Sequence, residues 1–192
     1  MMQYHAFLSH PSSSVCPRLS TSTIKSNYSI SDKDLESRGF YLRRTPNGLN
    51  LAELNNIFAK VGFPRRDPAK VLIALENSHS IVWVEDTGTS KPVAFARAIG
   101  DGVFNAVVWD VVVNPSFQGI GLGKVIIERL VDDLLSLGIS NITLYAEPKV
   151  IGFYRPLGFT ADPDGIKGMA YSTKEKPNVI LLITLKKKRM VV

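Results

Sequence analysis

A chain of 192 residues, 45% of them apolar, holds enough material for one domain with a sizeable core and little for a second. No run approaches the ~18 consecutive apolar residues of a membrane helix, and the one cysteine, Cys16, excludes a disulfide framework or a cysteine zinc cluster. The net charge of +6 hints at nucleic acid until it is located. Arg18 and Lys25 give residues 1–31 a charge of +2 with no acid, "KKKR" at 186–189 gives +4, and the remainder is neutral, which argues against a basic groove for nucleic acid.

Residues 1–31 hold nine serines, two basic residues and no Asp or Glu. That composition reads as an organelle transit peptide, and its hydroxyl content leans towards a plastid; a tail without an address is the alternative. The segment is expected to be dispensable for fold and catalysis. Residues 32–39 read as a linker, and 40–192 as the folded domain. His5, His10 and His79 share no ligand spacing, so no metal is expected.

"FYLRRT" (40–45) reads as a first strand. "NLAELNNIFAKVGF" (50–63) places Leu51, Leu54, Ile57, Phe58 and Val61 at helical spacing, with Asn50 as the cap. Pro68 opens a second short helix. "SIVWVED" (80–86) and "KPVAFARAIGDG" (91–102) read as strands joined by a turn, and "FNAVVWDVVV" (104–113) as a longer, buried, β-branched strand. From 124 to 137 a helix sets Ile126, Ile127, Leu130, Leu134 and Leu137 on one face and Glu128, Arg129, Asp132 and Asp133 on the other, ending at Gly138. "ITLYAE" (142–147) is a further strand, "VIGFYRPLG" a short helix, and "NVILLITL" (178–185) is strand-sized. The order predicts a mixed α/β layer with helices on both faces of the sheet.

Between the long strand and its helix lies "NPSFQGIGLGK" (114–124). A P-loop needs glycine, four residues, then Gly-Lys-Ser/Thr; here Gln118 stands at the first glycine and Val125 follows Lys124, so both ends fail. A dinucleotide fingerprint needs G-x-G-x-x-G, whereas Gly119, Gly121 and Gly123 give G-x-G-x-G. The third pattern is Gln-x-x-Gly-x-Gly, from Gln118, Gly121 and Gly123. It resembles motif A of the GCN5-related N-acetyltransferase (GNAT) superfamily, and "FYRPLGF" (153–159) resembles that superfamily's later Phe-Tyr…Gly-Phe motif. The two occur in the expected order, and the resemblance covers roughly residues 40–175. Within the superfamily, "WDVVVNPSFQGIGLGK", "ISNITLYAE", "FYRPLGF" and "DPDGIKGM" look like plant plastid acetyltransferases of the serotonin N-acetyltransferase type. Two departures stand out. Pro148 replaces the asparagine common before the last helix, and "STKEKPNVILLITLKKKRMVV" (172–192) runs past the region of resemblance, which leaves its role unassigned.

The resemblance implies a GNAT fold, with a mixed, mostly antiparallel sheet, and acetyl-CoA as cosubstrate. The implied acceptor is a small-molecule primary amine of the serotonin or arylalkylamine class, with protein lysine or N-terminal amines as a second class. The implied cofactor-binding residues are the backbone of Val111, Val112 and Val113, the loop residues Gln118, Gly119, Gly121, Leu122, Gly123 and Lys124, and Tyr154. Glycines let backbone N–H groups close on the diphosphate, and the helix end adds about half a positive charge. The resemblance further implies a local strand opening at Val111–Val113 and makes Tyr154 the general acid for the departing thiolate. An aromatic packing role is the plainer alternative for Tyr154. Asp110, a carboxylate in an apolar strand, is a candidate base if burial raises its pKa. A structural Asp satisfied by loop amides is the equal alternative, and Glu147 is the second candidate. Phe58, Phe63, Phe104, Trp109 and Tyr171 are available for an aromatic acceptor pocket. A non-catalytic CoA-binding protein of the same fold, and a nucleotide binder, are the competing functions.

Overall fold

The computed structural model describes residues 28–169. The expected leader up to residue 27, Tyr171, the strand-sized 178–185 segment and the basic run at 186–189 lie outside the described residues. Five strands form one sheet in sequence order: β1 (Phe40–Arg43), β2 (Ser80–Asp86), β3 (Lys91–Gly100), β4 (Asn105–Val113) and β5 (Asn141–Leu144). The first four are antiparallel and β5 runs parallel to β4. The sheet is mixed and mostly antiparallel, as expected.

Two cores sandwich this sheet. On one face α4 (Leu122–Ser136) buries Val125, Ile126, Leu130 and Leu134 against Val82, Val84, Ala94, Ala96, Ala98, Ala106 and Val108. The row of small alanines on β3 lets the helix approach the sheet closely. On the other face α2 (Leu51–Lys60) and α3 (Pro68–Glu76) bury Leu54, Ile57, Phe58, Val71 and Leu75 against Ile81, Trp83, Phe95 and Val112. Asn50 caps α2, accepting from the N–H groups of Ala52 and Glu53, and Asp67 with Pro68 opens α3.

The expected linker contains a helix, α1 (Asp32–Ser37). Ser31 caps it, accepting from the Asp34 N–H, and Leu35 is buried. The chain before it is also fixed. Tyr28 donates to Asp132 at 2.5 Å, Ser29 binds Glu128 through its N–H and hydroxyl, and the Ile30 carbonyl accepts from Arg129 at 2.8 Å. Residues 28–31, expected to belong to a separable leader, thus strap across α4. The strap also changes the face of α4 that sequence periodicity assigns. Arg129, expected on the solvent face, is fully buried, ion-paired to Asp32 at 2.5 Å and stacked over the Tyr28 ring at 3.3 Å. Leu137, expected inside, stands exposed at the helix end, where Gly138 takes φ +83°.

A chain begun at Asp32 uncovers Arg129 and removes a charge-assisted hydrogen bond and a cation–π contact, worth together about 2 kcal/mol. Thermal melts of chains begun at Tyr28 and at Asp32 test this. The longer chain should match the full-length protein, and the shorter should melt roughly 4–8 °C lower. Equal melting temperatures would show that the strap is ornamental.

Candidate active site

The site grows out of an irregularity in β4. Phe95 of β3 pairs with Val112, but Arg97 pairs with Trp109, so Asp110 and Val111 together oppose Ala96. Two residues against one is a β-bulge, and Asp110 takes φ +56°, a left-handed conformation uncommon outside glycine that aspartate adopts more readily than most residues. The bulge inverts the side-chain alternation. Ahead of it Ala106 and Val108 face α4; beyond it Val111 and Val113 face α4 while Val112 joins the α2–α3 core.

The same region loses its neighbour. β5 pairs with β4 only from Asn105/Asn141 to Val108/Leu144 and then ends. From Trp109 onwards β4 has β3 alone beside it among the described residues, which leaves a gap on its other edge. The Asn114 N–H donates to Val93 O on β3 at 2.8 Å. By strand alternation the backbone groups of Val111 and Val113 turn towards the gap, and those of Val112 towards β3. Among the described residues, β4 is unpaired on this edge at 111–113, where an opening was expected.

Beyond β4 a single turn, Pro115–Phe117, leads into the glycine loop. Gln118 donates from its side chain to Val113 O at 3.1 Å and ties the loop to the strand end. Gly119 and Gly121 have φ of +82° and +96°, which glycine adopts without a Cβ penalty. Helix α4 starts at Leu122, two residues earlier than periodicity suggests, and its first internal bond runs from Val125 N–H to Gly121 O. The N–H groups of Leu122, Gly123 and Lys124 therefore have no acceptor within the helix and sit at its positive end. The Leu122 side chain is buried in the core, so only its backbone is available to a ligand. The Lys124 ammonium lies 3.7 Å from Glu128.

Helix α5 (Ile151–Tyr154) closes the third side. The Phe153 ring lies over Gly123, 3.3 Å from where a Cβ would stand, and Val113 Cγ2 is 3.5 Å from that same point. A methyl at 123 would press lightly on the Phe153 ring, and a larger side chain would crowd strand, helix and ring. Tyr154 packs edge-on against Phe153 at 4.9 Å and Phe159 at 5.8 Å, and against the α4 core. Its hydroxyl has no hydrogen-bond partner among the described residues, and burial raises its pKa, which keeps the phenol protonated.

The expectation for Asp110 needs correcting. It does not sit in an apolar environment that lifts its pKa. Arg66, from the α2–α3 connection, grips it in a two-pronged bond at 2.8 and 2.6 Å, and Arg97 of β3 adds a third bond at 2.7 Å. Burial pushes the carboxyl up, but the hydrogen bonds and positive charges of the two arginines outweigh it and hold the pKa below the usual carboxylate value. A carboxylate so held is a poor proton acceptor. The group also faces α2 and α3, with the sheet between it and the glycine loop. Glu147, the second candidate, begins the turn Pro148–Val150 and is paired with Lys149 at 2.7 Å.

Of the expected aromatic pocket, Phe58 is core and Phe63 stacks on it at 6.0 Å, while Phe104 is exposed. Trp109 differs: it pairs with Tyr145 at 5.7 Å, both partly open to solvent, where β4 and β5 part. Sequence reading missed Arg66, Arg97, Tyr145 and Phe153. Only Phe153 had a local signal, as the residue before the tyrosine of the later motif.

A sheet parted beside a glycine-lined helix start, with a buried, protonated phenol packed against the core of the same helix, fits an acyl-group transferase. The family model described as Acetyltransferase (GNAT) family matches residues 49–159, and the chain belongs to that family. It is 65% identical over 150 residues to GCN5-related N-acetyltransferase 1, chloroplastic, of Arabidopsis thaliana, an alignment covering 78% of this chain and 76% of that protein. It is 60% identical over 143 residues to Serotonin N-acetyltransferase 2, chloroplastic, of Oryza sativa subsp. japonica, covering 73% and 71%. Among solved structures, a probable acetyltransferase from meticillin-resistant Staphylococcus aureus superposes with a TM-score of 0.59 at 19% identity, over 69% of this chain and 99% of that one, a likeness of fold. Among the described residues no group of His, Cys, Asp or Glu could hold a metal, and no helix is long and apolar enough to cross a membrane.

The lowered pKa of Asp110 fixes a sign. Its ion pairs stabilise the fold above the unfolded carboxylate's value, and that contribution is lost as the pH falls through the lower folded value. Asp110→Asn leaves two arginines without their counter-charge and should cost about 2 kcal/mol at pH 7, allowing for the partial exposure of Arg66. Urea melts should show that deficit narrowing below about pH 4. A deficit of equal size at pH 7 and at strongly acidic pH would contradict the charge argument.

Proposed function

We propose that this chain transfers the acetyl group of acetyl-CoA to a primary amine on an arylalkyl skeleton, serotonin being the named candidate, within a plastid. The observation that carries the proposal is the open edge of β4 beside the helix N-terminus at Gly121–Lys124, with Tyr154 packed against the core of that same helix. In this reading the diphosphate of CoA meets the N–H groups of the glycine loop, and the Gln118, Gly119, Gly121 and Gly123 positions keep that approach open. The pantetheine arm pairs with the backbone of Val111 and Val113 along the free edge, with Val112 turned to β3 and holding the strand in place.

The chemistry is one substitution at the acyl carbon. A neutral amine attacks the thioester carbonyl, a C–N bond forms, the C–S bond breaks, and the sulfur leaves as thiolate. A strand-edge N–H facing the gap supports the developing oxyanion. Tyr154 gives its proton to the thiolate, and its protonated state suits that task. The amine's own proton passes to water at the gap mouth or to Glu147, since Asp110 is held as the counter-ion of two arginines.

Three things support the aromatic acceptor. The rice relative carries the name serotonin N-acetyltransferase. The exposed Trp109–Tyr145 pair stands at the mouth of the gap and offers a stacking wall. The neutral core lacks the acidic run that a polyamine or a cationic protein tail would select. The chloroplastic names of both plant relatives and the acid-free, serine-rich residues 1–27 support the plastid.

Thiol release from acetyl-CoA should be faster with serotonin or tryptamine than with spermidine or a lysine peptide at equal concentration. Turnover of spermidine without turnover of serotonin would overturn the acceptor assignment and leave acetyl transfer standing. Binding of acetyl-CoA without thiol release on any amine would overturn the enzymatic reading. Tyr154→Phe keeps the ring and loses the hydroxyl; its kcat should fall about tenfold to a thousandfold with little change in KM for acetyl-CoA. Full activity across the pH range would leave Tyr154 a packing residue.

A further inference from the structure

We infer that Asp110 is a positioning residue which, clamped by Arg66 and Arg97, holds the β4 bulge in register and so sets the cofactor edge from the opposite face of the sheet. The inference rests on the reading that the gap beside Val111–Val113 receives CoA.

Asp110 occupies the one position in β4 with positive φ, and it is the residue at which the alternation inverts. With regular pairing, Val111 would turn its backbone towards β3 and its side chain away from the α4 core. The bulge is what brings the backbone of Val111 and of Val113 to the free edge together. Aspartate enters the left-handed region more readily than most residues, as at Asp162 and Asp164, yet at Asp110 it does so within a strand, where the neighbouring residues are extended. Three bonds from two arginines occupy both carboxylate oxygens and oppose any return of the residue to extended geometry.

The clamp has a second consequence. Arg66 is itself fixed by the buried Asn55 of α2, whose side chain donates to Arg66 O at 2.9 Å and accepts from Arg66 N–H at 3.0 Å. The guanidinium also lies over the Phe58 ring at 4.9 Å. A continuous chain of hydrogen bonds therefore runs from α2, through the α2–α3 connection, to the bulge. Arg97 joins from β3 and reaches Ser78 at 3.3 Å, just past α3. The α2–α3 layer, on the face away from the glycine loop, bears on the cofactor edge through Asp110.

Calorimetric titration with CoA itself reads this without depending on turnover. Arg66→Met leaves Arg97 paired with Asp110, so the fold is retained, yet CoA binding should weaken roughly three- to tenfold although residue 66 lies across the sheet from the glycine loop. Asp110→Ala, which loses both the clamp and tolerance of positive φ, should weaken binding about tenfold, matching ~1.4 kcal/mol of strain. Asp110→Gly adopts the bulge unaided and should stay within about threefold of wild type. Adding Arg66→Met to Asp110→Gly should then change nothing, because Arg66 acts through Asp110. A base at 110 would behave differently: Asp110→Gly would lose the basic dependence of the kcat profile, whereas the positioning role leaves the shape of that profile intact. Three results would overturn the inference: wild-type affinity in both Arg66→Met and Asp110→Ala, additive effects of Arg66→Met and Asp110→Gly, or loss of the pH dependence in Asp110→Gly. If wild-type protein itself fails to bind CoA, the cofactor reading falls first and takes the inference with it.

Discussion

The architecture of the site depends on one buried ion cluster. Asp110 sits beside apolar groups that would ordinarily exclude a carboxylate, on the α2–α3 face of the sheet, and is stabilised there by two arginines. Removing a carboxylate from water costs several kcal/mol, and the cost is recovered only where hydrogen bonds satisfy its lone pairs. Here three of them do. Such a cluster is weak evidence for stability in its own right, since a well-packed apolar substitute often matches it. What an apolar substitute would not reproduce is the backbone. The charged group keeps a strained residue where it is, and the strain is what turns the strand edge outward.

The parting of β4 from β5 has a second cause, in the length of β5. Four residues pair and then the chain leaves the sheet at Tyr145, to reach the turn Pro148–Val150 and α5. Proline at the start of that turn cannot donate to a ladder, so pairing could not continue through it. Bulge and short strand thus act together: one rotates the edge, the other vacates the space beside it. The glycine loop and Phe153 fill the far end, where a Cβ at position 123 would stand 3.3 Å from the Phe153 ring and a larger side chain would crowd it. The gap is bounded by the strand edge of β4 and by the start of α4, with the Phe153 ring over Gly123.

Long periodic elements were legible in the sequence, and local inversions were not. Asn50 as a cap, Pro68 at a helix start and the apolar stripe of α4 each stand where a 3.6-residue period and cap chemistry place them. The motif residues Gln118, Gly121 and Gly123 sit between the end of β4 and the start of α4, and Tyr154 packs on the α4 core, which a linear motif can suggest through order and spacing. The bulge left no trace, because Val111-Val112-Val113 is uniformly apolar and carries no parity signal to flip. Asp110 read equally as a base or as a structural carboxylate, since its partners, Arg66 and Arg97, are 44 and 13 residues away. Helix α1 was readable in principle: Ser31 followed by Asp32 and Asp34 is a cap with an acidic first turn, masked by the shortness of a six-residue helix.

Arg129 shows the same limit from the other side. Helical periodicity assigns residue types to faces on the assumption that one face meets water, and an arginine among Glu128, Asp132 and Asp133 fits that assumption. The strap of residues 28–31 removes the water. It puts an aromatic ring and a carbonyl over the guanidinium, and it brings the Ile30 side chain against Gly121, 2.8 Å from where a Cβ would stand. The strap therefore touches the N-cap residue of α4 as well as its flank. A composition boundary drawn after Ser31 follows the serine content correctly and still cuts through the fold, because composition records what a segment is made of and not what it covers.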